Sequence, residues 1–212
     1  MRGEEHTKNM YPPPMKHVLL DRRPHRPGDG QPFLGPLTLR RARVHEAHGG
    51  ARHTLALMLA RAMTGPLFWV APAWAPDRLY PLGLANLGVN PGRITFVHAR
   101  HATDILWTLE EILRSGAVGL VVGDLPGPPG LTPMRRMQLA AEAGAEASGT
   151  PPLGLILTPE GGAAGAESRW KMAPAHTPDT TGWQLTRERA RSDPPGDWQV
   201  TPKADGFAVA AG

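Results

Sequence analysis

Short apolar runs alternate with helical patterns between residues 43 and 157, and this alternation is typical of a parallel sheet with crossover helices. The first strand is predicted to begin at Val44, and four further strands are predicted to cover 67–70, 94–97, 118–122 and 153–157. The helices are predicted over 52–63, 77–88, 103–115 and 132–147. The expected fold class is therefore α/β, with a mostly parallel sheet between two layers of helices.

Both ends of the chain lack this alternation. Residues 1–40 contain Pro12-Pro13-Pro14 and Pro27-Gly28 without a sustained period, so we expect a flexible, basic, Pro/Gly-rich leader there. A single α/β domain is expected over 41–212. From about residue 166 the remaining segments are short and alternating, which predicts antiparallel strands that extend the sheet.

The residues at helix ends and the positions of the tryptophans give more detailed predictions. Asp77 and Thr132 are of the types that cap helix N-termini, and each precedes a helical pattern. Trp69 and Trp107 fall in an apolar strand and an apolar helix, so both are predicted to lie in the core. Trp74 lies in a loop between prolines, and among the tryptophans it is the best candidate for a contact with a partner.

Composition restricts the chemistry. The chain has no cysteine, which excludes thiolate nucleophiles and Cys-ligated zinc, and no apolar run approaches the length of a membrane span. We expect a cytoplasmic protein, with association to the nucleoid in view of the net charge of +4. The arginines considered for DNA contact are Arg40, Arg41, Arg135 and Arg136.

The turn after the first predicted strand is where an α/β fold would carry a phosphate-binding loop. A working loop needs glycines six and one positions before a lysine, with a hydroxyl residue after it. If Arg52 replaces that lysine, Glu46 and Ala51 stand at the glycine positions and His53 at the hydroxyl position. A glutamate facing phosphate is repulsive, so the loop is predicted to be degenerate.

The carboxylate expected for magnesium is displaced as well. Asp124 follows a hydrophobic strand whose natural end is Gly123, so its side chain is expected on the opposite face of the sheet. With both determinants altered, the sequence predicts neither ATP hydrolysis nor a bound cofactor. Any nucleotide contact would fall to Gly49, Gly50, Arg52, Thr54 and Asp124.

The sequence gives only weak indications of a metal site or of a catalytic nucleophile. The pairs His45/His48 and His98/His101 have a spacing that two imidazoles can use to share an ion, but neither lies convincingly within a helix. No third ligand has a fixed register with them, so no metal site is predicted. No serine lies in a nucleophile-elbow context, and no catalytic residue is predicted.

Two segments resemble a known family. Residues 79–89, beginning Leu79-Tyr80-Pro81, and residues 104–123 look like proteins of the ImuA family, which are distant relatives of RecA and SulA; His45-Glu46 is similar to the start of that family's core. The resemblance covers about residues 43–200. It implies a RecA-like three-layer core and a role in SOS mutagenesis.

The resemblance also implies where sites would lie. The phosphate loop of RecA would correspond to residues 48–54, its Walker B strand to 120–123, and its catalytic glutamate approximately to Asp104. The two DNA-binding loops would correspond to 123–131 and 159–166. Both of these loops are poor in Lys and Arg, so any contact with DNA is expected to be indirect or weak.

The function expected from these arguments is that of a non-catalytic adaptor in SOS-induced translesion synthesis. The partners implied are a catalytically inactive Y-family-like polymerase homologue, an error-prone C-family polymerase and RecA. Two alternatives stay open. One is a RecA-like ATPase that uses Arg52, Thr54 and Asp124 in an atypical loop, and the other is a SulA-like inhibitor of cell division.

Overall fold

The computed structural model of the chain describes residues 30–212, so the predictions made for residues 1–29 lie outside the described residues. Its strands are β1 (Gly30–Leu34), β2 (Leu37–Arg40), β3 (Arg43–His48), β4 (Leu67–Pro72), β5 (Ile94–Ala99), β6 (Leu120–Asp124), β7 (Leu153–Thr158), β8 (Ser168–Pro174), β9 (Trp183–Ala190), β10 (Gly196–Lys203) and β11 (Gly206–Ala211). Its α-helices are α1 (Arg52–Ala62), α2 (Pro81–Asn86), α3 (Ala102–Ser115) and α4 (Leu131–Ser148).

Nine strands form one sheet, in the order β11-β10-β9-β8-β3-β7-β6-β4-β5. Neighbours from β8 to β5 run parallel, and those from β8 to β11 run antiparallel. Strand β7 lies between β3 and β6 and is buried along its whole length, as its apolar sequence requires. The predicted α/β class, with a mostly parallel sheet and antiparallel C-terminal strands, is confirmed.

Helices cover both faces of the parallel part of the sheet. The buried side chains of α1 and α2 belong to one hydrophobic core, and those of α3 and α4 belong to a second core on the other face. Helix α1 is buried over Leu55, Ala56, Leu57, Met58, Leu59 and Ala60 in succession, because the hairpin of β1 and β2 covers the side that the sheet does not.

That hairpin corrects the predicted leader. Strands β1 and β2 pair antiparallel with each other, and Phe33, Leu34, Leu37 and Leu39 are buried in the same core as the apolar side chains of α1. The ring of Phe33 meets the ring of Trp170 edge-on, with 5.5 Å between centroids. The prediction of a flexible segment is therefore wrong for residues 30–40, whose apolar patches were too short to show a period.

Two predicted helix starts are also corrected. Helix α2 begins at Pro81 and not after Asp77, because a proline in the first turn needs no hydrogen-bond partner for a backbone N–H. Helix α4 begins after Gly130 without a side-chain cap, so Thr132 lies inside the helix. Helix α3 ends as predicted, at Gly116 in the left-handed conformation with φ of 61°.

The burial of the tryptophans differs from the prediction at one position. Trp69 is buried as predicted, and Trp74 is exposed in its loop. Trp107 is 61% exposed, so its assignment to the core is wrong. The buried stripe of α3 passes through Ile105, Leu109 and Leu113, and position 107 faces away from that stripe.

Helices α3 and α4 are in close contact at Gly144. A Cβ atom there would lie 2.0 Å from the carbonyl oxygen of Leu113. We expect Gly144→Ala to lower the free energy of unfolding by about 2 kcal/mol, because the methyl group must push α4 away from α3. Urea denaturation of the purified chain measures this loss.

Gly83→Ala is the matched control for that substitution. Gly83 also lies in a helix, but nothing lies within 4 Å of the position of its added Cβ. This variant should be neutral or more stable by up to about 1 kcal/mol, since alanine favours helix over glycine. Equal effects of the two substitutions would show that helix propensity, and not the contact with Leu113, dominates at Gly144.

Candidate functional site

One candidate site is a cavity of about 530 Å³ at the carboxyl ends of β4, β5 and β6, called here the carboxyl-edge cavity. The chain leaves β4 through α2 toward β5 on one face of the sheet. It leaves the neighbouring strand β6 through α4 toward β7 on the other face. Such a reversal between adjacent strands opens a crevice, and crevices of this kind are where open α/β sheets bind ligands.

The inner wall of the cavity holds an imidazole and a carboxylate in contact. His53, in the first turn of α1, places Nε2 at 2.7 Å from Oδ2 of Asp124. The imidazole also stacks on Trp69, with 6.1 Å between ring centroids and 22° between planes. Asp124 is the last residue of β6 and points toward α1, so the expectation that its carboxylate lies on the opposite face is wrong.

The rim of the cavity is aromatic and cationic. Trp74 is 52% exposed and Phe96 is 41% exposed, and both rings line the cavity. Phe96 stacks on His98 with 6° between the ring planes. The guanidinium of Arg78 lies against His98, with Nη1 at 2.7 Å from Nε2, and its Nη2 is 3.5 Å from the carbonyl oxygen of Ala73.

Arg52 adds a second cation to the lining. Its Nη1 lies 3.4 Å from the carbonyl oxygen of Gly49, and its Nε is buried without a hydrogen-bond partner in the described part of the chain. Within residues 30–212, neither Arg52 nor Arg78 forms an ion pair with a carboxylate. Their guanidinium groups are thus unpaired within these residues, and so is the carboxylate of Asp77, which lines the same cavity.

The loop between β3 and α1, predicted to be a degenerate phosphate loop, packs against β8. Gly49 has φ of +90°, and a Cβ there would lie 2.6 Å from the carbonyl oxygen of Met172. The same oxygen accepts the N–H of Ala51 at 3.0 Å, and the N–H of Arg52 points to the carbonyl of Gly49 at 3.2 Å. A phosphate cradle needs several free N–H groups directed at one point, and these two are already used.

The remaining nucleotide candidates are scattered. Gly50 is exposed at the turn, and Thr54 lies half-buried in the first turn of α1. Asp104 lies exposed in the first turn of α3 and does not line the carboxyl-edge cavity. The structure therefore brings Arg52 and Asp124 to one cavity and leaves Asp104 outside it.

Glu46 has a role that the sequence did not indicate. It is fully buried in β3 and accepts hydrogen bonds from Arg169 Nε at 2.6 Å, Thr158 Oγ1 at 2.9 Å and the N–H of Ala163 at 3.0 Å. Burial by itself would raise the pKa of Glu46, but these donors hold the pKa of its carboxyl below the ordinary value. Glu46 therefore joins β3 to β7, β8 and the loop after β7, and does not face a phosphate.

The arginines considered for DNA contact do not form one surface. Arg40 lies 3.5 Å from Glu167 and Arg41 donates to Gln31, both near the amino ends of the parallel strands. Arg135 and Arg136 lie in the first turns of α4, at the opposite edge of the sheet. Both side chains are exposed, and Arg136 pairs with Glu110 at 2.8 Å.

Comparisons with known proteins give no family. No protein-family model matches the chain. No curated protein matches it either. Among residues 30–212, no group of three or more His, Asp or Glu side chains is arranged to hold a metal ion. No helix in the same residues is long and apolar enough to cross a membrane.

Several residues of the carboxyl-edge cavity were not found from the sequence. Trp74 was identified as a contact candidate, but Arg78 and Phe96 were not. The available signal was positional: the loop that follows a buried parallel strand opens at the carboxyl edge, so charged residues such as Arg78 in the loop after β4 are site candidates. Phe96 offered no such signal, since its exposure depends on β5 being an edge strand.

Proposed function

We propose that this protein is a non-catalytic adaptor of the ImuA type, acting in SOS-induced translesion synthesis. The proposal rests on the resemblance of residues 79–89 and 104–123 to that family. A mostly parallel sheet with helices on both faces is what a RecA-like core requires. The partners proposed are the catalytically inactive Y-family-like polymerase homologue and the error-prone C-family polymerase, with RecA as a third.

One observation favours an adaptor over an ATPase. The carbonyl of Met172 occupies the space beside Gly49 and takes the N–H of Ala51, so the loop before α1 is closed against β8. Opening it to cradle phosphates would break that hydrogen bond and separate the loop from the buried strand. A bound triphosphate would have to compensate for both losses.

The ATPase alternative has one specific observation in its favour. Arg52 and Asp124, two residues of the atypical site considered above, do line one cavity at a point where α/β folds bind ligands. A nucleotide at a hundred times its dissociation constant would raise the free energy of unfolding by about 2.7 kcal/mol. Thermal unfolding with and without ATP separates the two functions.

The adaptor proposal is tested by pull-down from DNA-damaged cells, with nuclease added to remove bridging DNA. The full chain is the bait, because the hairpin of residues 30–40 contributes buried side chains. Recovery of the polymerase homologue should be the same with and without ATP, and Arg52→Ala should recover it as well as the unchanged chain. Recovery that needs ATP, or is lost with Arg52→Ala, would favour the ATPase.

A further inference from the structure

The rim of the carboxyl-edge cavity combines two features that nucleic-acid sites use together. Trp74 and Phe96 line the cavity and are 52% and 41% exposed, although side chains of this size are usually buried. Arg52 and Arg78 line the same cavity without a carboxylate partner in the described part of the chain, and Arg52 Nε has no hydrogen-bond partner there.

We propose that the carboxyl-edge cavity binds single-stranded DNA. A base stacks on the exposed rings of Trp74 and Phe96, and the flanking phosphates lie against Arg78 and Arg52. Aromatic faces with arginines beside them are the means by which proteins hold single strands without reading their sequence. This inference goes beyond the adaptor role and does not depend on it.

The shape and charge of the site favour a single strand over a duplex. A cavity of about 530 Å³ admits one base that has left its stack, whereas a paired base cannot enter. Asp77 and Asp124 also line the cavity. Their carboxylates would repel phosphates from the interior, and a base is neutral, so the backbone is expected to follow the rim.

An oligonucleotide suits this surface better than an acidic protein segment does, because every base has a ring face that can stack on the exposed aromatic rings. The whole chain carries a net charge of +4, but Arg40 and Arg136 are compensated by Glu167 and Glu110. Arg52 and Arg78 pair with no carboxylate in residues 30–212, and they line the same cavity as the exposed rings. A protein partner at this surface is the competing outcome of the experiment below.

The test measures binding of a fluorescein-labelled oligothymidine to the full chain by fluorescence anisotropy. Trp74→Ala and Phe96→Ala should each weaken binding about tenfold, which is the usual loss when a stacked base loses its aromatic partner. Arg78→Ala should lower the slope of log affinity against log salt by about 0.7, the value for one phosphate contact on a single strand.

Trp107→Ala is the matched control. Trp107 is 61% exposed but lies on α3 and does not line the cavity, so its loss should leave the affinity unchanged. Thermal unfolding of each variant confirms that it is folded. If Trp107→Ala weakens binding as much as Trp74→Ala does, DNA binds elsewhere and the proposal is overturned.

Competitors distinguish the remaining outcomes. An unlabelled single strand should displace the probe, whereas the same sequence as a duplex and free thymidine monophosphate should displace it far less. Equal competition by the mononucleotide would mean that the cavity is a free-nucleotide site. If Trp74→Ala abolishes recovery of the polymerase homologue but leaves DNA affinity intact, the surface docks a protein and the proposal fails.

Discussion

Arg169→Met is expected to lower the free energy of unfolding at neutral pH by about 4 kcal/mol. The substitution removes the ion-pair partner of Glu46, whose side chain is fully buried and whose carboxylate binds Arg169 Nε at 2.6 Å. Methionine fills a similar volume but donates no hydrogen bond, so a buried charge loses its compensation. The expected loss of stability is large because an unpaired charge in the protein interior destabilises the fold by more than an ion pair at the surface stabilises it.

The pH dependence of this loss has a definite sign. The folded-state pKa of Glu46 lies below its ordinary value of 4.5, so its ion pair stabilises the fold above that pH and less as pH falls through the folded pKa. In Arg169→Met the pKa of Glu46 rises, and the carboxyl can become neutral at mildly acidic pH. The difference in stability between the unchanged chain and the variant should therefore shrink as the pH is lowered.

Urea denaturation over a pH series measures the effect of Arg169→Met, with Arg135→Met as the control. Arg135 is exposed on α4, and its loss should change the free energy of unfolding by less than about 0.5 kcal/mol. Adding Glu46→Gln to Arg169→Met should recover part of the loss, because the uncompensated charge is then removed. If the two substitutions instead add their separate losses, the buried charge is not the cause.

The parallel core could be predicted because its signals are local. Each strand from β4 to β7 is mostly apolar, and α3 has its leucines at helical spacing, so both types of element are visible in windows of a few residues. The hairpin of β1 and β2 gives no such signal. Its burial depends on contacts with α1 and Trp170, which lie far along the chain.

The candidate site was harder to predict, for reasons of side-chain direction. Placing Asp124 required the register at which β6 ends, and an error of one residue reverses the face on which its carboxylate lies. Glu46 looked like part of a loop, but its hydrogen-bond partners are 112 to 123 positions away in the chain. Contacts at such separations leave no pattern in the neighbouring sequence.

His45 should make the fold sensitive to mild acid. Burial lowers the pKa of this histidine from 6.5 to about 4, against an opposing hydrogen bond to the backbone of Arg40. A neutral ring fits its hydrogen-bond network, in which the indole N–H of Trp170 donates to Ser168 Oγ at 2.8 Å. The hydroxyl of Ser168 then donates to His45 Nδ1 at 2.6 Å, which assigns the proton to Nε2, facing the carbonyl of Arg40 at 2.9 Å.

The sign of the resulting pH dependence follows from this low pKa. The unfolded chain binds a proton at His45 below pH 6.5, whereas the folded chain does not until about pH 4. The stability that neutral His45 provides is complete above pH 6.5 and is lost as pH falls toward 4, by roughly 3 kcal/mol in total. As the pH is lowered, this loss of stability begins before most carboxylates start to titrate.

The measurement is the free energy of unfolding in urea between pH 7 and pH 5, a window above the ordinary carboxyl range. His45→Gln should flatten the dependence, because an amide can still donate to the carbonyl of Arg40 but takes up no proton. His101→Gln, at an exposed histidine before α3, should leave the slope unchanged. A His45→Gln slope as steep as that of the unchanged chain would mean that another group controls the acid sensitivity. The two substitutions together assign the loss of stability in acid to the imidazole of His45, which is hydrogen-bonded to Arg40 in β2 and to Ser168 in β8.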